Sequence, residues 1–87
     1  MITRVTLYPG GLISCRNEDG YQLPSSQGLF KDVRKKIAEL PESIIWEIAV
    51  VGSVIVSKEE FFKFADRIVD VSFDKISAES LRLQLGQ

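Results

Sequence analysis

The chain contains no histidine, and so lacks the side chain whose ordinary pKa lies nearest neutrality and which most often serves as general base. Ser-His-Asp and Cys-His nucleophilic mechanisms are excluded with it, as are zinc centres of the usual histidine and cysteine composition. The single thiol, Cys15, rules out an internal disulfide and suits a reducing compartment. It alternates with Ile13 and has no identifiable cationic neighbour, so it is expected inside the core as an inert group. Carboxylates and lysines remain. Asp66, Asp70 and Asp74 recur at every fourth position, which on one continuous helix would line up three ligands for a hard cation. The helix is expected to end near Val69, however, and the three then read as helix-end and turn aspartates. Asn17-Glu18-Asp19-Gly20 lacks the length and closing glutamate of an EF-hand loop. Pro9-Gly10-Gly11 and Gln27-Gly28 lack the spacing and the Gly-Lys-Ser/Thr ending of a phosphate-cradling loop. No enzyme, cofactor or metal site is expected.

Two surfaces suggest binding instead. Lys31, Arg34 and Lys35 project from one side of a predicted first helix and form the best candidate for phosphate contact. Against this, Asp32 precedes Lys36 by four residues and Lys35 precedes Glu39 by four, the spacing of ordinary helix-surface pairs. That side also lacks the aromatic residues a single-strand binder stacks bases on. A predicted second helix carries an apolar arc of about 160°, wider than packing on one sheet face needs, so that Phe62 or Phe64 is expected at a partly open rim. Together with Trp46 these are the candidate anchors for a partner chain. The function expected is a non-catalytic protein-protein interaction module, a small cytosolic regulator, inhibitor or immunity-type protein that binds another protein chain or itself as a homodimer. The alternative is a nucleic-acid-associated regulator acting through Lys31, Arg34 and Lys35.

The elements that must position these residues follow from patterning. Eighty-seven residues amount to a single small domain, residues 1–87, which buries only about 60–65% of the surface its unfolded chain exposes. A hydrophobic content of 45% and a charged content of 26% are those of a folded globular chain. Eleven basic against twelve acidic residues leave a net charge of −1, which gives no general attraction to nucleic acid or an anionic membrane. The longest apolar stretch, Ile44 to Val56, is broken by Glu47, Gly52 and Ser53 and is too short to span a bilayer. No membrane association is expected, and a cytoplasmic location is the default. Leu12-Ile13-Ser14-Cys15 resembles a lipoprotein cleavage signal, but Pro9-Gly10-Gly11 breaks the apolar run before it, and a hairpin explains these residues better.

Residues 2 to 8 alternate, with Thr3, Val5 and Leu7 on one face and Ile2, Arg4, Thr6 and Tyr8 on the other, predicting a strand. Pro9-Gly10-Gly11 turns the chain into a return strand over Leu12 to Arg16. Asn17 to Gly20 makes a second turn into a short strand at Tyr21-Gln22-Leu23, stopped by Pro24. Ser25 or Ser26 is expected to cap the first helix, which carries Leu29, Phe30, Val33, Ile37 and Leu40 on one stripe and ends at Pro41. Ile44 to Val51 reads as a covered strand and Gly52-Ser53 as the turn to Val54-Ile55-Val56. Ser57-Lys58-Glu59-Glu60 matches a capping box opening the second helix. Beyond it, Val69, Val71 and Phe73, and then Leu81, Leu83 and Leu85, alternate as strands, with a short helix from Ser77 as the other reading. The architecture expected is a two-layer α+β sandwich: a mainly antiparallel sheet of about five or six strands with two amphipathic helices on one face, in chain order βββ-α-ββ-α-β(β).

Overall fold

The computed structural model describes residues 1–23, 27–68 and 76–85. Its elements run β1 (Ile2–Tyr8), β2 (Leu12–Asn17), β3 (Gly28–Leu29), α1 (Phe30–Ala38), β4 (Ile45–Ile48), β5 (Val54–Val56), α2 (Lys58–Arg67) and α3 (Ala78–Leu85). The strands form one five-stranded sheet in the order β3-β2-β1-β4-β5, and the fold is α+β. Every neighbouring pair is antiparallel except β1 with β4, which is parallel. A parallel pair requires a crossover. Helix α1 supplies it, carrying the chain from the β3 edge past β2 and β1 to β4.

The β1–β2 turn has the geometry its residues dictate. Gly11 N–H donates to the Tyr8 carbonyl at 3.0 Å, Pro9 occupies the first central position, and Gly10 takes the positive φ of 90° required at the second. At the other end of the hairpin the ladder slips: Ile2 faces Asn17 while Arg4 faces Arg16. Thr3 is the extra residue of a β-bulge, its hydroxyl donating to the Asn17 carbonyl at 3.1 Å. The bulge turns Ile2 to the core side, so Ile2, Val5 and Leu7 share the face that simple alternation assigned to Thr3, Val5 and Leu7.

The expected third strand at Tyr21-Gln22-Leu23 is reduced to a single bridge, Arg16 to Gln22. The Asn17 side chain accounts for this, because its Oδ1 accepts from both the Asp19 and Tyr21 amides at 3.0 Å and holds the chain in a tight turn. Pairing with β2 resumes at Gly28–Leu29, where Leu12 faces Leu29. Leu29 is thereby a strand residue and the N-cap of α1. The caps expected at Ser25 and Ser26, and the stop at Pro24, lie outside the described residues. The N-cap residue Leu29 provides no side-chain cap; the first amide of α1, Phe30 N–H, donates to the Gly11 carbonyl at 2.7 Å.

Helix α2 begins at the predicted capping box. Ser57 Oγ accepts from the Glu60 amide at 3.1 Å, and Glu60 Oε1 accepts from the Ser57 amide at 3.2 Å. Such a cap contributes about 1 kcal/mol.

The C-terminal segment is a helix, not the favoured strand. Ser77 Oγ accepts from the Ser80 amide at 3.1 Å and so opens α3. On a helix Leu81 and Leu85 are four apart and share a face: Leu81 is fully buried, Leu85 packs beside the core, and Leu83 is 72% exposed. The alternation that suggested a strand would have buried all three together. The strand expected at Val69, Val71 and Phe73 lies outside the described residues.

One core unites the layers. Val5, Leu7, Ile13, Cys15, Trp46, Ile48 and Val54 of the sheet meet Phe30 and Ile37 of α1, Phe61, Phe64 and Ala65 of α2, and Leu81 of α3. The three helices among the described residues therefore cover the same side of the sheet, and among those residues the other side carries none.

Candidate functional site

The aromatic residues expected as partner anchors sit mostly in that core. Trp46 is 1% exposed and Phe64 is fully buried, which removes both from the surface. Trp46 lies on β4, paired with Val5 on one side and Val56 on the other, and its ring meets Phe61 at 5.1 Å and Phe62 at 5.7 Å between centroids. These are tilted arrangements of the kind that aromatic quadrupoles favour. The wide apolar arc of α2 is thus consumed by the sheet and α1 together. Phe62 alone stays half-buried, and it is covered: the Arg34 guanidinium stands over its ring at 5.1 Å.

That placement changes the meaning of the basic helix face. Arg34 makes a two-pronged pair with Asp66, Nε to Oδ1 at 2.9 Å and Nη2 to Oδ2 at 2.8 Å. The Asp66 carboxyl is held below its usual range: the hydrogen bonds from Arg34 outweigh the opposing push from burial, and the Arg34 charge adds a smaller pull in the same direction as the hydrogen bonds. Arg34 therefore clamps α1 to α2, while Lys31 and Lys35 are exposed. With Arg34 engaged, the predicted phosphate-binding trio is not a set of three open cations. Asp66 is likewise an ion-pair partner of Arg34, and Asp70 and Asp74 lie outside the described residues. Among the described residues no group of three or more potential metal-ligating side chains occurs.

A second clamp ties the same helices at their other ends. Lys58, in the first turn of α2, donates from Nζ to the carbonyls of Ala38 and Leu40, both at 2.7 Å. It thereby satisfies carbonyls that the end of α1 leaves without intrahelical partners. The same ammonium lies 5.8 Å from the Trp46 ring.

The opposite side of the sheet has a different chemistry. Strand alternation places Arg4, Thr6 and Tyr8 of β1, Leu12, Ser14 and Arg16 of β2, Ile45 and Glu47 of β4 and Ile55 of β5 on this helix-free face, with Arg16 facing Arg4, Ser14 facing Thr6 and Ile55 facing Glu47. Glu47 is its centre. Its carboxylate accepts from Arg4 Nη1 at 2.8 Å, Thr6 Oγ1 at 3.0 Å and Ser53 Oγ at 2.8 Å. Burial pushes this carboxyl up, but the hydrogen bonds from Ser53, Thr6 and Arg4 and the Arg4 charge outweigh it, and the group stays below the usual carboxylate range. Ser53 reaches it from a left-handed backbone with φ 42°, a conformation that costs a non-glycine residue on the order of 1 kcal/mol. Glu47 is the lone charge in the Ile44–Val51 run; a carboxylate there needs several donors, and that need was the available signal for this network.

Around the network stand exposed aliphatic side chains. Leu12 is 50% exposed, Ile45 37% and Ile55 63%. Sequence patterning treated Ile45 as part of a covered apolar strand and singled out neither Ile45 nor Ile55 as a surface residue. The face is bounded at β5 by an edge strand, Val54-Ile55-Val56, that carries neither charge nor proline. On the helix side, a cavity of about 220 Å³ opens between the β1–β2 turn, the start of α1 and the end of α2, lined by Gly10, Gly11, Phe30, Lys31, Ala65 and Ile68.

Compared with known proteins, the chain matches no family model, no curated protein and no solved structure. Function is therefore read from the two faces of the sheet. No helix among the described residues is long and apolar enough to cross a membrane.

Proposed function

We propose that this chain is a non-catalytic protein-binding module, a small cytosolic regulator or inhibitor, and that it docks its partner on the helix-free face of the sheet. The observation that carries this reading is the placement of Leu12, Ile45 and Ile55, all exposed, on the side of the sheet that no helix among the described residues covers. Burying such aliphatic surface is worth roughly 25 cal/mol per Å², so Leu12 on β2 and Ile45 and Ile55 on β4 and β5 offer a partner apolar contacts set among polar residues. Tyr8, Arg4 and Arg16 lie among them, residue types enriched where proteins meet. The Glu47 network stiffens the strands beneath, which lowers the ordering cost of binding.

The test is capture of partners from lysate of the source organism, with and without nuclease, by the wild-type chain and by Ile45→Thr/Ile55→Thr. Threonine keeps the strand preference and removes aliphatic area; a charge at Ile55 would instead disturb Glu47 directly opposite. A stoichiometric protein that survives nuclease and is lost with the double substitution is the expected result. Recovery that depends on nucleic acid and is abolished by Lys31→Glu/Lys35→Glu would overturn the reading.

A further inference from the structure

The turn between β4 and β5 touches both faces of the sheet. Ser53 N–H donates to the Val50 carbonyl at 3.0 Å, which closes a tight turn with Val51 and Gly52 at its centre. Gly52 takes a positive φ of 92° while Val51 does not, the pattern of a type II turn. Ser53, just beyond, is the one described residue other than glycine with a positive φ, 42°. Its hydroxyl donates to Glu47 Oε2 at 2.8 Å on the helix-free face, and this bond offsets the strain that a left-handed backbone places on a residue with a Cβ.

On the helix side the same turn holds the start of α3. Val51 N–H donates to the Ile76 carbonyl at 3.2 Å, and the Val51 carbonyl accepts from the Ala78 amide at 2.8 Å, a parallel bridge between Val51 and Ser77. That carbonyl belongs to the central peptide of the turn, whose orientation separates type II from type I. Its direction, and with it the acceptor for Ala78, is therefore set by the backbone at Gly52. The approach is close: a Cβ on Gly52 would meet the Ala78 Cβ at 3.3 Å. Elsewhere α3 is thinly held. One of its eight residues, Leu81, is buried, against three of ten in α2, and Gln84 Oε1 accepts from Arg67 Nη2 at 2.9 Å. A helix this short has no stability of its own and depends on such attachments.

We infer that the β4–β5 turn is a strained latch coupling the two faces of the sheet: the Ser53–Glu47 contact on the helix-free face holds the turn in the conformation that docks α3 on the helix side, and loss of that contact releases α3. As Ser53 relaxes to a negative φ the turn reshapes, the Val51 carbonyl swings away from Ala78, and the apolar surface beneath Leu81 opens. A group that settles on the helix-free face and takes the place of Ser53 on Glu47 is thereby felt on the opposite side of the domain. The latch stands independently of the protein-binding reading and of what that group is.

Amide hydrogen exchange of the full chain, followed by NMR, tests the latch with two substitutions at one position. Ser53→Ala removes the hydroxyl and keeps the strain. It should speed exchange of the Ala78 and Leu81 amides about fivefold, the factor by which loss of one hydrogen bond shifts a local opening equilibrium. Ser53→Gly removes hydroxyl and strain together, so the same amides should stay within about twofold of wild type. The Phe61 and Ala65 amides of α2 should exchange alike in all three proteins. Unchanged Ala78 and Leu81 exchange in Ser53→Ala would overturn the inference. Equal acceleration in α2 and α3 would also overturn it, because it marks general destabilisation. Exchange in Ser53→Gly as fast as in Ser53→Ala would do the same, since the turn would then store no strain to release.

Discussion

The two sides of this sheet are built from alternate residues of the same strands, yet they solve opposite problems. On the helix side, Trp46, Phe61 and Phe64 are sealed among aliphatic residues, and the layers are held by packing. On the other side, Glu47, Arg4, Thr6 and Ser53 satisfy one another in a polar network while Leu12, Ile45 and Ile55 are left to solvent. A small domain depends on one well-filled core, which leaves its second sheet face free for other uses.

The contrast can be broken most forcefully from the core side. Phe61→Ala removes a fully buried ring that touches Phe30, Trp46 and Phe62, and should lower unfolding stability by roughly 3–5 kcal/mol. Urea unfolding followed by tryptophan fluorescence would measure it, and a loss under about 1 kcal/mol would mean that the helix side is not the structural one.

The next effect lies in the polar network. Glu47→Ala leaves three donors without their acceptor and should cost about 1–3 kcal/mol. Glu47 also carries a pH signature. Its carboxyl is held below the ordinary value of 4.5 in the folded state, so its contribution is complete above that value and is lost as pH falls through the lower, folded one. Asp66, depressed from 3.8, adds in the same direction. Stability should therefore decline on acidification below about pH 4.5, and the decline should be shallower in Glu47→Gln; an unchanged slope would show that the network does not hold the carboxylate ionised.

Smaller effects separate clamp from surface. Arg34→Ala should cost no more than about 1 kcal/mol, because both partners of its ion pair are nearly half exposed, though it also uncovers Phe62. Ile45→Thr/Ile55→Thr should change stability least, within about 0.5 kcal/mol per site, while altering partner capture most. A thermal melt of that variant shifted as far as that of Phe61→Ala would erase the distinction between the faces.

How much of this could be read from sequence follows from the range of the interactions involved. The Tyr8–Gly11 turn, the Ser57–Glu60 capping box and the amphipathic character of α1 and α2 depend on residues a few positions apart, and all were legible. The bulge at Thr3 was not, since it arises from a register slip against Asn17, fourteen residues away. The leucines of α3 misled because an alternating triplet satisfies a strand and, at its first and last members, a helix; the Ser77 cap decided between them. The burial of Trp46 and Phe64 and the engagement of Arg34 by Asp66 required knowing how α1 crosses α2. The open face was half visible, in Arg4, Thr6 and Tyr8, but Ile45 looked like core, because an apolar run does not declare which side is covered, and Ile55 was read only as part of a short strand.

The measurement that most directly tests whether the helix-free face is the working surface is the affinity of the captured partner, by calorimetry, for three proteins of equal thermal stability: wild type, Ile45→Thr/Ile55→Thr and Lys31→Glu/Lys35→Glu. A docking sheet face predicts binding at least about tenfold weaker in the threonine variant and unchanged in the glutamate variant. The reverse pattern would contradict it and place function on the outer side of α1.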